Sequence, residues 1–297
     1  MSMTKSGMIA IVGRPNAGKS TLTNALVGEK IAIVSSKPQT TRNRICAVLN
    51  RGESQFVFLD TPGLHKARNR LGDYMVNVVR ESVAGVDAAV LLVEPVPKVG
   101  PPELELIERI RALNIPAVLV INKIDTVKKE ELLAVMQAYQ AVQEFQAIVP
   151  ISAKNGEGVE ELLQVLSAFL PEGPRLFPED MVTDQPERQV CAEILREKLL
   201  RCLDKEIPHG TAVEITRFSE RESEIIDVDA TIYCEKASHK GIIIGKGGAM
   251  LKKISSQARR DMETFMGAKV YLETWVKVKE NWRDNVNFLH GVGYRED

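Results

Sequence analysis

The stretch that decides the fold is Gly13-Arg14-Pro15-Asn16-Ala17-Gly18-Lys19-Ser20, which follows the apolar run Met8–Val12 and precedes the helix-patterned residues Thr21–Val27. A strand, then Gly-x-x-x-x-Gly-Lys-Ser, then a helix is the context that defines a phosphate-binding loop. Glycines let backbone N–H groups approach phosphate oxygens, and the helix dipole favours the same negative charge. Lys19 is predicted to reach the β- and γ-phosphates, and Ser20 to ligate Mg²⁺. We therefore predict a nucleoside triphosphate site.

Length and composition describe an ordinary globular chain. Its 297 residues suggest about two domains, and a net charge of −1 with 44% hydrophobic and 27% charged residues is typical of such proteins. The four cysteines are scattered without a Cys-x-x-Cys pair, which favours reduced thiols in the cytoplasm over a disulfide framework or a zinc site. The sequence shows neither a signal-peptide core nor a membrane-length apolar run, and peripheral membrane attachment stays open.

Residues 1–172 alternate between short apolar strands and amphipathic helices. This alternation predicts an α/β fold with a mostly parallel, six-stranded sheet and helices on both faces. Ligands in such folds bind at the carboxyl ends of the strands. The predicted strands are Met8–Val12, Ile45–Leu49, Gln55–Leu59, Ala88–Val93, Ala117–Ile121 and Ala147–Ile151.

Two polar segments are candidates for contacts with the triphosphate and Mg²⁺. In Ser35–Arg42, Thr40 or Thr41 is predicted to complete the Mg²⁺ shell and to contact the γ-phosphate. Asp60-Thr61-Pro62-Gly63 directly follows a predicted strand. The Asp60 carboxylate is predicted to hold Mg²⁺ directly or through water, and the Gly63 N–H to meet the γ-phosphate.

Two later segments are candidates for base recognition. Asn122-Lys123-Ile124-Asp125 follows the fifth strand, and Ser152-Ala153-Lys154 follows the sixth. One carboxylate can accept from both the N1–H and the 2-amino group of guanine, whereas adenine has neither donor there, so Asp125 predicts guanine specificity. Asn122 can bind the base edge or brace the loop, Lys123 can cover the ring, and Ser152-Ala153-Lys154 can offer a backbone N–H.

These segments together resemble the Ras-like GTPases of the translation-factor-related class over about residues 6–170. The resemblance implies GTP and GDP as ligands, with Lys19, Thr40, Thr41 and Gly63 as the catalytic groups. Mg²⁺ would be held by Ser20, Thr41 and Asp60. The nucleotide-binding positions are Gly13, Arg14, Pro15, Asn16, Ala17, Gly18, Lys19, Ser20, Thr21, Asp60, Thr61, Pro62, Gly63, Leu64, Asn122, Lys123, Asp125, Ser152, Ala153 and Lys154.

One position departs from Ras. Where many such GTPases carry a glutamine that orients the attacking water, this chain has Leu64, followed by His65. An aliphatic side chain cannot orient water, so backbone groups, an ion or a partner must do so. Asn16 resembles the asparagine of relatives that use K⁺, which makes K⁺ a further candidate cofactor.

After a Pro/Gly-rich segment, 173–185, read as a linker, the pattern changes. Residues 186–297 show the order helix–strand–strand–helix–turn–helix–strand, with Gly245-Lys246-Gly247-Gly248 between two helices. This order resembles an α+β type II KH domain. Glycines at such a turn let a sugar–phosphate strand approach the backbone.

The C-terminal domain is therefore predicted to bind single-stranded RNA. Basic side chains around the turn would attract phosphates, and apolar ones would form a groove for unstacked bases together with the strand Ile225–Tyr233. The predicted RNA-binding positions are Ile242, Ile243, Ile244, Gly245, Lys246, Gly247, Gly248, Lys252 and Lys253.

The whole pattern resembles the Era family, through Gly13–Ser20, Pro38–Arg42, Asp60–His65 and Trp275–Lys279. The resemblance implies a slow GTPase switch that binds the 3′ end of 16S-type rRNA and assists assembly of the small ribosomal subunit. It further implies a cytoplasmic monomer that associates peripherally with the inner face of the membrane and does not bind DNA. Three rivals stay open, namely a P-loop ATPase or nucleotide kinase, a GTPase of another RNA pathway such as tRNA modification, and a GTP-gated RNA-binding scaffold.

Overall fold

Strands and helices alternate through the first half of the chain. The computed structural model describes residues 4–295 and divides into two compact units. Unit 1 contains the residues up to Ala67 and Met75–Asp184, and unit 2 contains Arg68–Tyr74 and the residues from Gln185 onward.

The sheet of unit 1 has six strands in the order β2-β3-β1-β4-β5-β6. Only β2, which is antiparallel to β3, departs from parallel pairing, so the predicted mostly parallel sheet is confirmed. The elements in chain order are β1 (Lys5–Gly13), α1 (Lys19–Val27), β2 (Ile45–Arg51), β3 (Ser54–Asp60), α2 (Arg70–Ser82), β4 (Ala88–Val93), α3 (Pro101–Ala112), β5 (Ala117–Ile121), α4 (Lys129–Gln140), β6 (Ala147–Pro150) and α5 (Val159–Ser167).

Helices cover both faces of this sheet, and for that reason the central parts of its strands are continuously apolar. Successive residues of a strand point to opposite faces. Ile9 and Ile11 of β1 are buried in the apolar cluster on one face, and Ala10 and Val12 in the cluster on the other. The carboxyl ends of the parallel strands, where ligands bind in such folds, carry the predicted nucleotide motifs.

The segment predicted as a linker packs on unit 1 for most of its length. Gln55 is fully buried, and its side chain accepts from the Leu176 and Phe177 N–H groups and donates to the Phe177 carbonyl. Further along, the Val48 N–H donates to the Val182 carbonyl at 2.8 Å. Composition alone could not show this, because the partners of the segment lie more than a hundred residues earlier in the chain.

Unit 2 has a three-stranded sheet, β7-β8-β9, in which β8 is antiparallel to β7 and parallel to β9. Its helices α6, α7 and α8 bury apolar side chains against one face of the sheet, and the predicted KH order is confirmed. The elements are α6 (Glu187–Cys202), β7 (Thr211–Glu220), β8 (Ile225–Cys234), α7 (Ala237–Ile244), α8 (Ala249–Met266), β9 (Lys269–Val278) and α9 (Val286–Gly291).

Two helices, α2 and α9, lie outside the elements predicted from the sequence. The signal for α2 is present, because Leu71, Met75 and Val79 are buried and recur at the helical spacing of four residues. The six-residue α9 is too short for periodicity and shows only its cap, in which the Asn285 side chain accepts from the Phe288 N–H. No helix within residues 4–295 is both long enough and apolar enough to cross a membrane.

Candidate functional sites

The phosphate loop connects the end of β1 to the start of α1 and lines a cavity of about 580 Å³. Gly18 has φ +102°, and a Cβ there would lie 2.2 Å from the Asn122 Nδ2 atom, so only glycine fits. The first turn of α1, including Thr21, contributes to the same wall. The size of this cavity is typical of small-molecule sites.

Lys19 is buried beneath the phosphate loop. Its Nζ atom donates to the Gly13 carbonyl at 3.1 Å and to the Arg14 carbonyl at 2.8 Å. Burial lowers the pKa of Lys19 to about 8, with a partial opposing effect from Asp60. The ammonium group is thus held at the wall where the predicted phosphates would lie.

The three predicted Mg²⁺ ligands lie together. The Ser20 hydroxyl donates to Asp60 Oδ2 at 2.7 Å and lies 2.8 Å from the Thr41 hydroxyl. Asp60 is fully buried, burial raises its pKa to about 6, and its Oδ1 atom has no hydrogen-bond partner among the described residues. Two hydroxyls beside an unpaired carboxylate oxygen fit Mg²⁺, which prefers oxygen ligands.

Thr40 and Thr41 differ in orientation. The Thr40 hydroxyl donates to the Lys37 carbonyl at 2.7 Å, within its own loop, whereas the Thr41 hydroxyl faces Ser20. Asn16 links the same loop to the phosphate loop, because its Nδ2 donates to the Ser36 carbonyl at 3.0 Å. Both threonines line the nucleotide cavity, and the Thr41 hydroxyl adjoins Ser20, another predicted Mg²⁺ ligand.

The segment after β3 passes close under the phosphate loop. Thr61 donates to the Ile11 carbonyl at 2.9 Å, Pro62 follows it, and a Cβ on Gly63 would lie 2.4 Å from the Pro15 backbone nitrogen. The Leu64 side chain is buried in the apolar core and does not line the nucleotide cavity. The backbone of Leu64 lies beside the phosphate loop, with its N–H donating to the Gly13 carbonyl at 3.3 Å.

Asn122 connects the predicted base-binding segments to the phosphate loop. Its Nδ2 donates to the Ala17 carbonyl at 2.8 Å, and its Oδ1 accepts from the Ala153 N–H at 3.0 Å. The Ser152 hydroxyl donates to Asp125 Oδ1 at 2.7 Å, which orients that carboxylate. Asn122 thus braces the loop, the second of its two predicted roles.

Lys123 pairs with Glu94, a residue that the sequence motifs did not include. Its backbone has φ +64°, and its Nζ donates to Glu94 Oε1 at 2.5 Å. Glu94 comes directly after β4 and lines the nucleotide cavity with Lys123. The sequence could have indicated Glu94 only through its position at the carboxyl end of a buried strand. Lys154 is exposed in the turn after β6.

The Gly-x-x-Gly turn of unit 2 lies between α7 and α8, as predicted. Gly245, Gly247 and Gly248 all have positive φ, at +73°, +58° and +80°, a region that favours glycine. Around the turn the cations Lys246, Lys252 and Lys253 are exposed. The turn therefore presents backbone and positive charge to solvent.

One predicted RNA contact needs correction. Of the three isoleucines, Ile242 is half exposed and Ile244 partly buried, but Ile243 is fully buried in the core and cannot contact RNA through its side chain. The strand predicted to form the groove corresponds to β8, which is the central strand with hydrogen-bonded neighbours on both sides. Both α7 and α8 pack against β9, an edge strand of the sheet.

Comparison with known proteins gives consistent matches over the whole chain. The family model described as 50S ribosome-binding GTPase matches residues 8–123, and the KH domain model matches residues 206–283. The chain is 49% identical to the GTPase Era of Ruminiclostridium cellulolyticum, covering 98% of both chains. It is 51% identical to the GTPase Era of Clostridioides difficile, covering 99% of this chain and 100% of that protein.

Two solved structures are similar along their full length. One is a variant of Aquifex aeolicus Era bound to GDP·AlF₄⁻, and the other is Era in complex with MgGDPNP and nucleotides 1506–1542 of 16S ribosomal RNA. Each has a TM-score of 0.95 and 38% identity, and each match covers 99% of this chain and 100% of the other.

Proposed function

Because the chain belongs to the Era family of GTPases, we propose that its GTP-controlled binding of the 16S rRNA 3′ end assists assembly of the small ribosomal subunit. The proposal that the protein binds GTP rests on one observation. The phosphate loop, Thr41, Gly63 and Lys123 all line the same cavity. The related complex with a GTP analogue and 16S rRNA nucleotides supports the RNA part.

In the proposed reaction the residues position GTP and stabilise developing charge. Lys19 binds the β- and γ-phosphates, and the Gly63 N–H donates to the γ-phosphate. Ser20, Thr41 and Asp60 would hold Mg²⁺, which when bound neutralises phosphate charge. Asp125, oriented by Ser152, accepts from guanine. The burial of Leu64 leaves orientation of the attacking water to backbone groups, an ion or a partner.

We assign the Mg²⁺ contact to Thr41 over Thr40, and a pair of variants tests this. Thr41→Ala should lower single-turnover GTP hydrolysis by about 10- to 100-fold, because a ligand of the charge-neutralising ion is lost. Thr40→Ala should stay within about threefold, because the Thr40 hydroxyl donates to carbonyls of its own loop. Phosphate release measured against Mg²⁺ concentration separates the two. Equal losses in both variants would contradict the assignment.

K⁺ is proposed as a second cation at the phosphates, near Asn16. Hydrolysis is then expected to be several-fold faster in K⁺ than in Na⁺ at equal ionic strength, because an additional cation stabilises the charge of the transition state. Asn16→Ala should remove the difference. Phosphate release in the two salts measures it, and equal rates for the unmodified protein would overturn the K⁺ proposal.

The RNA part is tested by binding a labelled single-stranded fragment from the 3′ end of 16S rRNA to the full chain. We expect tighter binding with a non-hydrolysable GTP analogue than with GDP, because nucleotide-dependent ordering of the loops around Thr41 and Gly63 is proposed to change the presentation of the KH domain. Equal affinity in both states would contradict this coupling.

The remaining elements of the proposal concern organisation and location. We divide the chain into a GTPase domain (1–172), a linker (173–185) and a KH domain (186–297), acting as a monomer that does not bind DNA. The four cysteines are unbonded, which fits a reducing cytoplasm. Peripheral association with the inner membrane is proposed on the family resemblance alone.

A further inference from the structure

A second cavity, of about 470 Å³, lies in unit 1 beside the phosphate loop. It borders the nucleotide cavity, since Pro15 and Glu94 belong to the walls of both. Its volume falls in the range of small-molecule sites. Residues that characterise its walls are Arg14, Leu64, Val93, Val96, Lys98 and Tyr139.

One wall of this cavity is formed by Tyr139, whose hydroxyl can donate a hydrogen bond to a ligand. Tyr139 is 2% exposed, and within residues 4–295 its hydroxyl forms no hydrogen bond. The neighbouring Glu103 carboxylate is engaged elsewhere, because Arg14 Nη2 donates to it at 2.5 Å and the Gly100 N–H at 3.2 Å. Burial raises the pKa of the Tyr139 hydroxyl above its usual value, so the hydroxyl stays protonated at neutral pH and can donate to an acceptor on a ligand.

The other residues of the cavity walls indicate the polarity and charge of a ligand that would fit. Leu64 and Val93 are buried apolar side chains, and Val96 is an exposed one at the rim. Glu94 is paired with Lys123. Lys98 is exposed and pairs with no carboxylate in the described chain, and the Arg14 side chain is 42% exposed although it is paired with Glu103. The uncompensated charge at the rim is therefore positive.

We propose that this cavity binds a small organic acid with an apolar, ring-sized body. The body packs against Leu64 and Val93, an acceptor atom takes the hydrogen bond of Tyr139, and the acidic group lies by Arg14 and Lys98. Such a ligand combines the features that specific pockets use, an apolar surface with a few placed polar groups. Because Arg14 and Leu64 belong to the phosphate loop and to the loop after Asp60, the ligand would contact two segments that also enclose the nucleotide.

The test uses 8-anilinonaphthalene-1-sulfonate, an aromatic acid that fluoresces in apolar surroundings, with the full chain and with the nucleotide site filled by Mg²⁺ and GDP. We expect saturable binding of one probe per chain. Tyr139→Phe should weaken it about five- to tenfold, the usual effect of losing one hydrogen bond. Val96→Trp, at the exposed rim, should block the cavity and abolish binding.

The matched control is Val286→Trp, the same change at an exposed valine of unit 2. Thermal unfolding of each variant shows that it is folded. Loss of binding in Val96→Trp but not in Val286→Trp supports the cavity as the site. Probe binding that is absent, or equal in all variants, overturns the proposal, and an unchanged affinity in Tyr139→Phe overturns the assigned hydrogen bond.

Discussion

Asp125→Asn is expected to lower the affinity for GTP and GDP by about 10²- to 10⁴-fold. The carboxylate would accept from two donors of guanine, and hydrogen bonds to a charged group contribute about 1.5–3 kcal/mol each. An asparagine offers one acceptor and turns an N–H₂ group toward a base edge that itself donates. A mismatch that sets two donors against each other at the base edge is penalised strongly.

The same variant should gain affinity for xanthine nucleotides. Xanthine carries an oxygen where guanine carries the 2-amino group, so the asparagine N–H₂ can donate to it. The expected result is therefore a reversal of preference and not only a loss, which separates a changed contact from a damaged fold. Competition of GTP, XTP and ATP against a fluorescent nucleotide measures all three affinities.

Two variants complete this experiment. Ser152→Ala removes the hydroxyl that donates to Asp125 at 2.7 Å and should cost about tenfold, because the carboxylate stays but loses its orientation. Asp180→Asn makes the same chemical change at an exposed loop position and should have no effect. If Asp125→Asn left GTP affinity unchanged, the base would have to bind elsewhere.

The sheet of unit 1 could be predicted because its signals are local. Each strand is a short run of apolar residues, since both faces of the sheet are covered. The phosphate loop and the segments that begin at Asp60 and Asn122 directly follow such runs, so order along the chain already placed them at one edge of the sheet.

Contacts between distant segments could not be predicted in the same way. Lys123 pairs with Glu94, and the 173–184 segment packs along Gln55. In both cases the residues around one partner contain no pattern that indicates the other. The choice of Thr41 over Thr40 beside Ser20 is also tertiary, because it depends on the rotation of one loop residue.

In unit 2 the sequence pattern gave the element order but not the exposure of each side chain. Ile242, Ile243 and Ile244 are consecutive in a helix, so they point about 100° apart. One of them must then face the sheet, and burial of Ile243 satisfies that requirement. The identity of the buried residue depends on the helix rotation, which the helix–helix and helix–sheet packing sets.

Combining Lys246→Glu with Gly248→Asp is expected to lower the affinity for a single-stranded 16S rRNA 3′ fragment by at least about a hundredfold. The first change reverses a charge at the predicted phosphate contact, and the second places a carboxylate on the turn that the sugar–phosphate backbone must approach. A Cβ on Gly248 would meet nothing within 4 Å, so the added carboxylate points into open space.

The choice of Gly248 over Gly245 follows from packing. A Cβ on Gly245 would lie 2.7 Å from the Met250 Cβ atom, so a substitution there would distort the start of α8. Weaker RNA binding could then result from a damaged fold and not from a lost RNA contact. Gly248 has φ +80°, and aspartate is among the residues that tolerate the left-handed region best. Thermal unfolding should therefore change little in the Gly248→Asp variant.

Salt dependence distinguishes a phosphate contact from a general electrostatic effect. Loss of one contact to single-stranded RNA should reduce the slope of log affinity against log salt by about 0.7. Lys129→Glu, at the start of α4 in unit 1, makes the same charge reversal as Lys246→Glu alone and should leave both affinity and slope unaltered. If the two charge reversals weakened binding equally, the effect would come from net charge, and the Gly-x-x-Gly turn would lose its assigned role in binding RNA.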